Sequence, residues 1–308
     1  MSSFAFRGVI PAITTPFDDT FAIDHGFLKK HVAWLARHGV SGIVPGGSLG
    51  EGSSLSFDEK CALMRSCVEA LGEETPVVAT IASASTAEAV TLARTAEEIG
   101  CRALMVLPPY VYQGQWHETK AHAAAIFDAT ALPCMLYNNP AAYGTDIRPE
   151  QIAELAERHT NFLAVKESSG DSRRFAAIRT LVGDRLNLFA GLDDVVCEAI
   201  GMGAVGWIAG LVNALPEETM DLFNHAIAGE HDKAFEIYCW FLPLLRLDTV
   251  PEFVQLIKLV QAEVGMGSER VRPPRQPLLD AQREATLALI RDHLARRPSA
   301  AGGRGEAA

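Results

Sequence analysis

The stretch PVVATIASASTAEAVTLARTAEEIGCRALMVL, residues 76–107, sets the architecture. It opens on an apolar run, Pro76–Ile81, crosses Ser83-Ala84-Ser85, and continues as an amphipathic segment over Thr86–Ile99. A second apolar run, Ala103–Leu107, closes it. Short apolar runs on either side of a helical pattern read as strand, helix, strand, and that order brings two strands together in parallel. The Thr86 hydroxyl is placed to cap the helix and Gly100 to end it.

The same unit recurs outward in both directions. Candidate strands are Val9–Thr14, Ser41–Pro45, Pro76–Ile81, Ala103–Leu107, Pro133–Tyr137, Phe162–Lys166, Leu186–Ala190 and Ala204–Ile208. Helical patterns lie between and after them at Asp24–His38, Phe57–Leu71, Thr86–Ile99, His117–Ala129, Pro149–His159, Arg173–Leu181, Asp193–Met202 and Pro216–Ala228. Ser56, with Glu59 three residues later, makes a capping box. Pro149 and Pro216 fall at first-turn positions, where a missing N–H costs nothing. Gly39 and Gly72 mark helix ends. Strand–helix repeats without a break in composition predict an α/β fold, a (β/α)₈ TIM barrel, over residues 1–229. After Gly229 the alternation stops. His231–Arg246, Val250–Val264 and Asp280–Arg297 predict a C-terminal helical extension of about three helices over residues 230–297. The tail, 298–308, is small, polar and Gly-rich, and is expected to be disordered.

Composition narrows the class. The chain has 308 residues, 48% hydrophobic and 21% charged, as a globular enzyme does. A net charge of −11 argues against a nucleic-acid partner. Six separated cysteines without a C-x-x-C pair suit buried thiols in a reducing compartment. The first residues lack the pattern of a secretory signal, and no apolar run is long enough to span a bilayer, so a cytoplasmic location without membrane contact is expected. Six histidines (His31, His38, His117, His122, His225 and His231) fall on helical segments and read as solvated faces. No metal site and no cofactor is expected.

Three places carry chemistry. Lys166 ends the apolar run Phe162-Leu163-Ala164-Val165-Lys166, and Glu167-Ser168-Ser169-Gly170-Asp171 follows as a loop. A buried ammonium must be paired or lose its proton, and a neutral amine beside a cavity is what imine chemistry needs. The plainer alternative is a lysine reaching out of the strand end to a carboxylate such as Glu167. Next, the second strand runs into Pro45-Gly46-Gly47-Ser48-Leu49-Gly50-Glu51-Gly52-Ser53, whose backbone can approach a ligand closely and offer amides to a carboxylate. It lacks the lysine of a nucleotide P-loop. Finally, Tyr137-Asn138-Asn139-Pro140 ends the strand before that of Lys166. It puts a phenol beside the amine, able to shuttle protons during carbinolamine formation and dehydration.

Together with Gly8-Val9-Ile10-Pro11-Ala12-Ile13-Thr14-Thr15-Pro16-Phe17, these motifs resemble the dihydrodipicolinate synthase/N-acetylneuraminate lyase family of lysine-dependent class I aldolases over almost the whole chain. The resemblance implies that Lys166 forms a Schiff base with a 2-oxo acid, that Tyr137 is the acid/base, and that Ser48 links it to a proton relay. Gly47, Leu49, Tyr110, Tyr143 and Ile208 are the implied substrate contacts. The amides around Ser48 and Leu49 would hold the substrate carboxylate.

Three departures bear on the substrate. Leu49 stands where the family usually has a second hydroxyl, leaving backbone amides or Ser53 to compensate. Val111, between Tyr110 and Tyr112, stands where dihydrodipicolinate-forming members carry a relay tyrosine. Ala141-Ala142-Tyr143-Gly144 offers no arginine for the carboxylate of aspartate semialdehyde, and alanine cannot replace a guanidinium. The favoured reading is a 1-pyrroline-4-hydroxy-2-carboxylate deaminase. Alternatives are a 2-keto-3-deoxy sugar-acid aldolase or dehydratase, 4-hydroxy-tetrahydrodipicolinate synthase, and a ligand-binding barrel without turnover. The expected partners are a 2-oxo or imino acid substrate and further copies of the chain, as a dimer or tetramer.

Overall fold

The computed structural model describes residues 4–109 and 112–298. Seven parallel strands form one curled sheet: Gly8–Pro11, Val78–Ile81, Ala103–Val106, Cys134–Asn138, Phe162–Glu167, Asn187–Ala190 and Gly206–Ala209. The first pairs with the last, Val9 opposite Trp207. Closure is completed at residues 43–44, where Val44 bridges to Ala12 and Ile43 to Val77. Backbone bonds run from this pair to both neighbours, Val44 N–H to Pro11 O at 2.8 Å and Val78 N–H to Ile43 O at 2.8 Å. This is the (β/α)₈ barrel expected from the repeats, with the second strand cut to two residues because the glycines after Pro45 turn the chain away.

All eight expected helices form. The Phe57–Leu71 helix begins with the capping box: Ser56 accepts from Glu59 N–H at 3.2 Å, and Glu59 accepts from Ser56 N–H at 2.9 Å. At Thr86–Ile99 the cap is Ser85, not Thr86; Ser85 Oγ accepts from Glu88 N–H at 3.4 Å. Thr86 is the first helical residue, so its hydroxyl turns to His122 instead. Gly100, at φ 103°, ends this helix in a backbone conformation that favours glycine. The segment expected over Asp193–Met202 splits into a 3₁₀ turn, Asp193–Val195, and a short helix, Val196–Gly201.

Three helices follow the barrel: His231–Leu245, Phe253–Glu263 and Asp280–Ala295. They are tied to the barrel through polar side chains as well as apolar ones. Thr14 Oγ1 donates to Gln261 at 2.8 Å, and Lys258 Nζ donates to Glu51 at 2.5 Å. Residues 299–308, within the expected disordered tail, lie outside the described residues. Four cysteines are buried, whereas Cys239 is exposed.

Two solvated-face readings fail. His31 and His122 are buried. His31 donates from Nε2 to Asn213 O at 2.9 Å, and burial pulls its imidazole down to about 4. The helix pattern could not show this, because the C-terminal helix that covers His31, through Gln261, lies far along the chain.

Candidate active site

A cavity of about 560 Å³ opens at the C-terminal ends of the strands, the end at which barrel loops converge. Its wall includes Lys166, Tyr137, Gly47, Ser48, Leu49 and Ile208, with Tyr143 at the side. Seven of the eight residues expected at the site therefore meet in one place. The eighth, Tyr110, and its neighbour Val111 lie outside the described residues.

Register explains the central pair. Tyr137 stands opposite Lys166 across two parallel strands, so both side chains point to the same face. Lys166 is 6% exposed, and its Nζ lies 3.9 Å from the centroid of the Tyr137 ring. Among the described residues no carboxylate comes within ion-pairing distance of it. The pairing with Glu167 does not occur, because adjacent strand residues face opposite ways. Glu167 instead accepts from Ser169 N–H at 2.6 Å and from Asn138 Nδ2 at 3.0 Å, while burial pushes its carboxyl above the ordinary range. Behind Lys166 stands Gly191. A β-carbon there would sit 2.8 Å from Lys166 Cγ and collide with Ser168 Oγ, so the lysine stem needs a glycine beside it.

The phenol of Tyr137 accepts from Asn139 Nδ2 at 3.0 Å, and its own proton has no acceptor among the described residues. Asn139 also caps the four-residue helix Pro140–Tyr143, accepting from Ala142 N–H at 3.0 Å. That helix delivers Tyr143, whose ring meets Tyr137 edge-on at 5.6 Å. The Tyr143 hydroxyl forms a short hydrogen bond with Ser48 Oγ. Ser48 is thus bonded to Tyr143 rather than directly to Tyr137. Tyr112, next to Val111, does not take the place of a relay tyrosine: it is 53% exposed and donates to Glu118 at 2.8 Å, and it is not among the cavity-lining residues.

The Gly-rich loop folds tightly on itself. Glu51 N–H reaches Ser48 O at 3.2 Å, and Gly52 N–H reaches Gly47 O at 3.0 Å. The amides of Ser48 and Leu49 have no acceptor among the described residues. Two adjacent free amides at the cavity wall can receive a carboxylate.

Sequence reading missed three residues here: Asn139, Asp193 and Asp248. Asn139 had a signal, since an asparagine just before a first-turn proline is a helix cap. Asp193 is fully buried beneath the cavity, accepting from Trp207 Nε1 at 2.9 Å and Leu211 N–H at 2.7 Å. Burial raises its carboxyl to about 6 against the pull of these donors and of Lys166. Asp248 lines the cavity, and burial together with the Asp193 charge pushes its carboxyl well above the usual range. Both carboxyls feel the Lys166 charge. An amine, a phenol and a carboxyl around one apolar-floored cavity, with free amides opposite, can form an imine and move protons about it.

Known proteins share this arrangement of chain. The sequence profile of the dihydrodipicolinate synthetase family matches residues 5–293. A 4-hydroxy-tetrahydrodipicolinate synthase of Methanopyrus kandleri is 34% identical over 292 residues, 94% of this chain and 96% of that protein. The enzyme of the same name from Geobacter metallireducens is 31% identical over 288 residues, 94% of this chain and 99% of that one. Among solved structures, a putative dihydrodipicolinate synthetase from Pseudomonas aeruginosa superposes with a TM-score of 0.89 at 29% identity, covering 94% of this chain and 100% of that one. Among the described residues, no helix is long and apolar enough to cross a membrane.

Proposed function

Because this chain belongs to the dihydrodipicolinate synthetase family, whose members are class I lyases, we propose that Lys166 is its imine-forming residue and Tyr137 its proton carrier. The observation that carries this reading is the Lys166 amine, enclosed in the cavity, 3.9 Å from the Tyr137 ring and without a carboxylate partner among the described residues. The substrate carboxylate rests on the amides of Ser48 and Leu49. Lys166 adds to C2 of a 2-oxo acid or a cyclic 2-imino acid. Tyr137 gives its proton to the departing oxygen or nitrogen. The resulting phenolate removes a proton from C3, and the iminium draws that electron pair into an enamine.

For the substrate we favour 1-pyrroline-4-hydroxy-2-carboxylate, deaminated with loss of water from C4 and of ammonia on hydrolysis, to 2-oxoglutarate semialdehyde. Its support is the wall where a second carboxylate would need a cation: Ala141, Ala142 and Tyr143 line the cavity there. A 2-keto-3-deoxy sugar acid presents the same C2, C3 and C4. The synthase reading has its own support in the names of the relatives and in Arg275, which reaches the cavity from the C-terminal segment. Borohydride reduction with each candidate, followed by mass spectrometry, separates these readings. A trapped adduct and turnover with the hydroxylated pyrroline support the deaminase. Condensation of pyruvate with aspartate semialdehyde supports the synthase. Absence of any reducible adduct leaves a binding barrel and sinks the lysine mechanism.

A further inference from the structure

Asp193 and Asp248 meet at one glycine. Gly210 N–H donates to both oxygens of Asp193, at 3.0 and 3.1 Å. On the other side of the same residue lies the Asp248 carboxyl: a β-carbon on Gly210 would stand 2.5 Å from its Cγ and 2.8 Å from its Oδ2. The two carboxyls are otherwise unlike. Asp193 is held by three donors: Trp207 Nε1 and the amides of Gly210 and Leu211. Among the described residues the Asp248 carboxyl has no hydrogen-bond partner, and its Oδ1 is enclosed. Two neighbouring carboxyls removed from bulk water resist ionising together, and donors favour the charged form of the one they touch. Asp193 therefore takes the charge and Asp248 keeps the proton. Among the described residues the other charged groups acting on them are Lys166, in the lining of the same cavity, and Asp194, which faces Arg246 at 3.9 Å.

A protonated carboxyl in the wall of a lysine cavity is a proton donor without an assigned task. We propose that Asp248 is the acid that protonates the hydroxyl leaving C4, which makes the substrate class 4-hydroxy-2-oxo acids, or their cyclic imines, with a methylene at C3. This rests on the Lys166 enamine proposed above. In the step, the enamine nitrogen pair re-forms C2=N, the C2=C3 pair moves to C3=C4, and the C4–O bond breaks. The Asp248 proton goes to that oxygen, water departs, and the Asp248 carboxylate is left facing the new iminium until solvent returns a proton. No oxidant or further reactant is required.

The test separates this step from the imine itself. Asp248→Asn keeps the shape but cannot supply the proton. Exchange of the pyruvate methyl protons into D₂O, followed by NMR, requires only Lys166 and Tyr137, and should persist in this variant. That persistence also shows that the variant is folded. Turnover of 4-hydroxy-1-pyrroline-2-carboxylate should fall by ~10²–10⁴-fold. The 4-fluoro analogue, whose leaving group depends much less on a proton, should be processed near the wild-type rate. Equal losses in exchange and elimination, or near-normal elimination from the hydroxylated compound, overturn the role of Asp248. So does a wild-type enzyme that exchanges pyruvate protons yet dehydrates neither this compound nor a 2-keto-3-deoxypentonate. A wild-type enzyme that neither exchanges nor traps pyruvate removes the lysine reading and this inference together.

Discussion

Among the described residues two lysines are buried, and they meet opposite fates. Lys258, 2% exposed, donates to Glu51 at 2.5 Å and to Arg270 O at 2.6 Å, and lies 4.7 Å from the centroid of the Phe17 ring. Glu51 in turn accepts from Arg272 N–H at 2.9 Å. Lys166 also sits over an aromatic ring, but among the described residues it has no carboxylate partner and it faces a cavity. Burial alone therefore does not mark a reactive amine. What separates the two is whether a partner has already claimed the charge.

The arrangement divides labour. Glu51 adopts a left-handed backbone, φ 55°, costly for a residue with a side chain, at the turn that ends the Gly47–Leu49 stretch. Lys258 and Arg272 hold it there from the C-terminal segment. The saturated lysine thus fixes the loop whose free amides face the unpaired one. Exchanging the two amines' environments, or removing either, tests the contrast.

The largest effect belongs to the unpaired lysine. Lys166→Ala should abolish both turnover and borohydride trapping, because no other lysine lines the cavity among the described residues. Circular dichroism should show the fold intact, since Lys166 has no ion pair among the described residues. A trapped adduct in this variant would move the imine to another residue and end the comparison.

Tyr137→Phe comes next. It keeps the ring under the amine and removes only the hydroxyl that Asn139 touches. Turnover should drop by ~10²–10⁴-fold, while slow borohydride trapping survives. Near-normal turnover would give the proton transfers to Tyr143 and Ser48, which are hydrogen-bonded to each other.

For the paired lysine the readout is stability. Lys258→Met leaves Glu51 buried without its partner, and urea unfolding should show a loss of about 3–5 kcal/mol. Adding Glu51→Gln should recover part of that loss, because no uncompensated charge then remains. If the single variant is no less stable than the wild type, the clamp is not what holds the loop.

How much of this contrast is written locally in the chain differs between its halves. The barrel was legible because strand and helix periods are short-range: Phe57–Leu71 and Thr86–Ile99 have the bounds their patterns gave. Lys166, Tyr137 and Ser48 were legible because each sits at or just beyond a strand end, where this fold gathers its chemistry. Lys258 stands in an equally apolar run, Leu256-Ile257-Lys258-Leu259-Val260. Nothing nearby reveals that Glu51, some two hundred residues earlier, neutralises it. Asp193 and Asp248 were hidden for the same reason. One reads as a helix start and the other as a break between helices, and only closure of the barrel brings both to Gly210.

The mildest test of the clamp uses pH. His31 belongs to it, bonded to Asn213 O and within 3.4 Å of Gln261 Nε2 on the same helix as Lys258. Burial lowers its pKa from 6.5 to about 4 in the folded chain. The unfolded chain therefore binds more protons between those two values, and stability must rise with pH across that window and fall on acidification. Asp193, raised to about 6, acts in the opposite sense, since the folded chain takes up its proton first as pH drops. A bare acid-unfolding curve mixes the two. The difference between wild type and His31→Gln isolates the histidine: it should shrink by roughly 2–3 kcal/mol between pH 7 and pH 4. A difference that stays flat across the range would mean that His31 takes up its proton without disturbing the contact between barrel and C-terminal helices. The clamp would then rest on Lys258 and Arg272.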